Sequence, residues 1–109
     1  MPVHFHRFDR YHVNYLTPGH SQRRDQILIF CSRLSDEQQL ESVGSIRFWR
    51  GEVPMNAYYG PTNVILNYSV DDFTRILDLL RVEKPCYLAI DPETRFGYIA
   101  TRYEAEDLE

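Results

Sequence analysis

Between Val3 and Leu16 the apolar residues Val3, Phe5, Tyr11, Val13 and Tyr15 recur at odd positions. Side chains of a strand alternate between its two faces, so this spacing predicts one long, half-buried strand with a bulge-like break near Phe8 and Asp9. On that reading Val3 and Phe5 face inward, while His4 and His6 share the polar, solvent-facing side. Residues 17–24 have the composition of a loop. The unbroken apolar run Gln26-Ile27-Leu28-Ile29-Phe30-Cys31 that follows predicts a central strand, pairing with the first as a hairpin.

Ser35-Asp36-Glu37-Gln38 fits a capping box, in which a serine oxygen satisfies a free amide of the first helical turn and acidic residues meet the positive end of the helix dipole. It predicts a short helix that stops before Gly44, a residue able to take the left-handed conformation that ends helices. Three strands then follow over residues 45–50, 55–59 and 64–68. They are separated by the turn signals Val53-Pro54 and Gly60-Pro61, and they read as an antiparallel meander. Ser69 caps a second helix, with Asp72 at the third helical position and Tyr68 and Phe73 spaced as a hydrophobic staple. Phe73, Ile76, Leu77 and Leu80 repeat at i, i+3, i+4 and i+7, giving that helix one apolar face. After Lys84-Pro85, strands at 86–90 and 96–103 flank the turn Asp91-Pro92-Glu93-Thr94 as a final hairpin.

The expected fold is therefore α+β: an antiparallel sheet of roughly five to seven strands in the order β-β-α-β-β-β-α-β-β, with two helices packed on it. A chain of 109 residues is of a length for one domain, here 1–103, and residues 104–109 hold four acids as a frayed, solvated tail. A hydrophobic share of 43% and a charged share of 26% are enough for a core without disulfide or metal support. No run approaches the ~20 apolar residues of a membrane span, and the opening residues lack the apolar stretch of a secretory signal, so the expected location is cytoplasmic. Cys31 and Cys86 each lie inside an apolar run and are expected to be buried thiols with no reactive role.

Charge narrows the list of partners. Residues 1–50 carry seven Arg against five acids and residues 51–109 five basic residues against eleven acids, for a net charge of −4. Binding to duplex nucleic acid draws its affinity from a cationic surface, and an acidic chain disfavours it. The common nucleotide, phosphate, hydrolase and redox motifs are absent, and no cofactor is expected. His4 and His6, two apart on a strand, could share a metal with His12 or Asp9, yet too few ligands converge to predict a metal site. Asp91 with Glu93 could serve acid-base chemistry, but Asp-Pro-Glu-Thr is first a turn in which the aspartate bonds its own backbone.

What remains is aromatic content, eight Tyr, six Phe and one Trp. With Ile46 and Phe48 turned to the core, alternation sends Arg47 and Trp49 to the opposite face, and Tyr58 of the adjacent strand joins them. Trp, Tyr and Arg are enriched at protein interfaces. The leading expectation is a non-catalytic protein-binding or adaptor domain, a homodimer, that uses Arg47, Trp49, Arg50, Tyr58 and Tyr59, with self-association or another protein as partner. Two other readings stand beside it. One is a small-molecule enzyme or ligand carrier with an N-terminal site built from His4, His6, His12 or Asp91. The other is single-stranded nucleic-acid binding on the aromatic and arginine face.

Overall fold

A computed structural model describes residues 3–16 and 25–101 of the chain. The expected loop over 17–24 and the acidic tail 104–109 lie outside the described residues. Strands dominate: β1 (His4–Phe8), β2 (Arg10–Tyr15), β3 (Asp25–Leu34), β4 (Leu40–Trp49), β5 (Ala57–Tyr58), β6 (Val64–Ser69), then a 3-10 turn (Val70–Asp72) running into α1 (Phe73–Val82), and finally β7 (Cys86–Ile90) and β8 (Gly97–Ala100). They form two sheets, one of three strands in the order β1-β7-β8 and one of five in the order β2-β3-β4-β6-β5.

The α+β expectation of one antiparallel sheet carrying two helices is not what the chain adopts. Only the second helix exists among the described residues. Ser35 caps a hairpin turn instead: its Oγ accepts from the amides of Glu37 (3.3 Å) and Gln39 (3.2 Å), and Gln38 takes a positive φ of 64°. The same serine chemistry that opens a helix also closes a turn, and the turn prevails because Leu40–Trp49 pairs along nearly its whole length with β3. The meander is corrected as well. β4 and β6 pair in parallel, Gly44 with Val64 through Trp49 with Ser69, and β5 lies beyond β6 at the sheet edge.

Gly44 ends no helix. A Cβ built there would stand 2.0 Å from the carbonyl oxygen of Val64, so the absent side chain is what lets β4 and β6 approach at the start of their parallel pairing. The pairing of β4 with β3 shifts between Cys31 and Ser32, where β4 carries the extra residue Val43, a β-bulge.

A single cluster of buried side chains joins both sheets and the helix. The five-stranded sheet contributes Ile27, Ile29, Cys31, Val43, Ile46, Phe48, Val64 and Leu66. Phe8, Cys86, Leu88 and Ile90 come from the three-stranded sheet, and Ile76 and Leu80 from α1. Asp9 is where the first long strand passes from one sheet to the other, and its amide donates to the carbonyl of Ser32 at 3.1 Å. The expected break is there, but it also swaps faces: Phe8 is buried with the even positions of β1, while Tyr11 and Val13 pack inward from the odd positions of β2. Phe5 consequently lies on the outer side of the small sheet, and His6 is half-buried against Tyr58, while His4, its ring also beside Tyr58, stays exposed as expected.

α1 follows its sequence pattern. Ser69 Oγ accepts from the Asp71 amide at 3.2 Å, and Asp72 pairs with Arg75 within the first turn. Ile76 and Leu80 are buried, and the Phe73 ring meets Phe48 edge-on at 5.2 Å. Among the described residues, no helix is long and apolar enough to cross a membrane.

Candidate functional site

Directly paired residues share a sheet face, so the register assigns the outer face of the five-stranded sheet. Arg10, His12 and Asn14 come from β2, Leu28, Phe30 and Ser32 from β3, Ser42, Ser45, Arg47 and Trp49 from β4, and Ile65 and Asn67 from β6. None of these belongs to the core cluster, and both the small sheet and α1 lie on the other side. Arg47 and Trp49 are half-buried here, as the alternation predicts. Arg47 Nε lies 3.4 Å from Ser45 Oγ.

Trp49 is neither core nor free. Its indole N–H donates to Asn67 Oδ1 at 2.8 Å, Asn67 Nδ2 donates to the Met55 carbonyl at 2.7 Å, and the Asn67 amide donates to Asn56 Oδ1 at 2.8 Å. Asn56 in turn donates through Nδ2 to the carbonyl of Arg95 at 3.0 Å. Asn67 thus ties the end of β4, the chain entering β5, and β6 into one polar clasp. Sequence reasoning passed over both asparagines, because a hydrogen-bonding hub has no spacing of its own along the chain.

Tyr58 departs from the expected surface. It pairs with Val64, packs against the core, and sets its ring 5.8 Å from both His4 and His6. Pairing by parallel strands, with β5 outside β6, puts it on the inner side, away from Arg47 and Trp49. Tyr59 is 71% exposed beside it, and Arg50 is exposed just beyond β4. The five residues are therefore split between two surfaces.

The histidine site is smaller than a catalytic centre. His6 Nε2 is buried with no hydrogen-bond partner, and burial, then the nearby His4 and Arg33, hold the imidazole below its usual range. Both named neighbours carry or can acquire positive charge. His12 is on the other face, stacked on Phe30 with ring centroids 5.1 Å apart. Asp91 is a turn residue: Oδ1 accepts from the Glu93 amide at 2.9 Å, and that bond, countered by burial, lowers its carboxyl below the ordinary value. Burial raises both thiols, Cys31 and Cys86. Among the described residues, no three His, Cys, Asp or Glu side chains come together as a metal site.

A second aromatic surface escaped the sequence pattern because the face swap at Asp9 inverted it. Phe5, Tyr87 and Tyr98 pack edge-on across the outer side of the small sheet at 6.2–6.4 Å, and Phe96, 63% exposed, tilts against Tyr98 at 5.7 Å.

No family model, curated protein or solved structure matches this chain.

Proposed function

We propose that this chain is a non-catalytic protein-binding domain that pairs with a second copy of itself through the outer face of its five-stranded sheet, centred on Arg47 and Trp49. The observation that carries the reading is the clasp at Asn67. It holds the indole in one orientation on the face opposite the main core cluster, where Leu28 and Ser45 are also buried, and a preorganised aromatic loses little conformational freedom on binding. Tyr58 drops out of the contact set, while Arg50 and Tyr59 remain at its margin. Buried, unpaired Cys31 and Cys86 suit a cytoplasmic setting.

Single-stranded nucleic acid is less well served. Binding of that kind needs open ring faces for bases, whereas Phe30 is covered by His12 and the polar edge of Trp49 is committed to Asn67. Native mass spectrometry of the wild type, Trp49→Ala and Phe96→Ala tests the proposal. A wild-type dimer that becomes monomeric in Trp49→Ala, with far-UV dichroism retained, is the expected result. A dimer lost only in Phe96→Ala would move the contact to the small sheet, and a wild-type monomer at tens of micromolar would remove self-association altogether.

A further inference from the structure

Where the bulge at Val43 spreads β3 and β4, a cavity of about 370 Å³ opens on the outer face, lined by His12, Phe30, Cys31, Ser32, Leu40 and Ser42. This lies within the range of small-molecule sites, about 300–1,000 Å³, and bulges recur beside such sites because they spread the strands and re-aim side chains. We propose that it binds a small organic carboxylic acid with an aromatic or branched aliphatic body.

Three features of the lining select that chemistry. Apolar walls face each other: the Phe30 ring, stacked within 25° of parallel on His12, and Leu40, which is 64% exposed and would be covered by a bound apolar body. Donors sit at the rim, since an imidazole presents at least one N–H in either protonation state and Ser32 carries a hydroxyl. The sign of the nearby charge is positive. Among the described residues no carboxylate lines the cavity, Arg10, itself outside the lining, pairs with Ser32 at the adjoining register position, and Glu41, between Leu40 and Ser42, is held by Arg33 at 3.2 Å. Among the described lining residues an amine finds no counter-ion, whereas a carboxylate finds the donors of His12 and Ser32, with Arg10 at the neighbouring strand position. Asp25 pairs with Trp49 at the far end of the face, several residues along β3 from the cavity. This site does not depend on the self-association reading.

The test is titration of the full-length protein with benzoate, benzylamine and benzyl alcohol, followed by NMR at the His12 ring and the Leu40 methyls. Benzoate is expected to give saturable shifts at both residues, with benzylamine and benzyl alcohol at least ~10-fold weaker. Arg10 and Leu40 are both exposed, so their variants should fold. Arg10→Gln should weaken benzoate by roughly 5-fold, and Leu40→Asp should abolish the shifts at the His12 ring. Benzylamine binding as tightly as benzoate would overturn the proposal. So would unmoved His12 and Leu40 signals at tens of millimolar benzoate, or a Leu40→Asp variant that binds as the wild type does.

Discussion

Asn67 shows how much one polar side chain can organise. Its amide group and backbone N–H together reach Trp49 and the adjacent Met55 and Asn56, tying two separate stretches of chain to β6. His6 shows the opposite case, a buried ring nitrogen with no partner, and pH exposes the consequence. The folded state lowers its pKa, so the unfolded chain takes up the proton first. Stability is then complete above the ordinary value of 6.5, falls as pH drops through that value, and levels off once the folded imidazole is also protonated. Urea melts between pH 8 and pH 4 should show this fall, and His6→Phe should remove its part of it. A pH profile identical in His6→Phe and wild type would assign the loss to other groups. The turn role of Asp91 and the burial of both cysteines were legible from their neighbours in sequence, because each depends on short-range chemistry. The clasp at Asn67 was not, since its partners lie 11, 12 and 18 positions away.

At the scale of elements, local signals proved ambiguous wherever two structures use the same chemistry. The helical segment was legible from its serine cap and apolar repeat, although Ser69 caps a 3-10 turn that runs into α1 and not α1 itself. Ser35 carried the same kind of cap without a helical repeat behind it. The residues after it were claimed by β3, which offers a long run of paired backbone to a strand and nothing comparable to a helix. Gly44 was misread for the same reason, since a glycine can end a helix or admit a neighbouring strand. The close approach of β4 and β6 makes a direct prediction. Gly44→Ala puts a methyl against the Val64 backbone, which cannot rotate away, and should destabilise the domain by about 2–4 kcal/mol in a denaturant melt. A loss under about 0.5 kcal/mol would mean that the two strands are not so closely paired.

Across the whole molecule, the two sheets are bound into one body by a shared core, and the crossing at Asp9 places Phe8, 1% exposed, where both contribute. Removing that ring should weaken the sheets together. Phe8→Ala is expected to cost about 3–5 kcal/mol, with Trp49 fluorescence and far-UV dichroism melting at the same midpoint. Separate midpoints would show two independently folding units in place of the single domain proposed for 1–103. Charge is arranged at this scale too. Among the described pairs of the outer face from Arg10 to Asn67, Asp25 opposite Trp49 is the one acidic residue, while Asp71, Asp72 and Asp78 fall on the helical segment at the other side of the core.

Sequence alone determined the strands at 64–68 and 86–90, the amphipathic helix with its serine cap, the hairpin around Asp91, and the apolar residues of the central strands. In each, neighbours within one turn or one strand supply the whole cause. Only tertiary structure decided that β4 and β6 run parallel, that the sheet divides in two at Asp9, that Tyr58 faces His4 and His6, and that the bulged stretch of β3 and β4 borders a cavity with His12. Those outcomes depend on which strands meet and in what register. A register shifted by one residue turns every side chain to the opposite face.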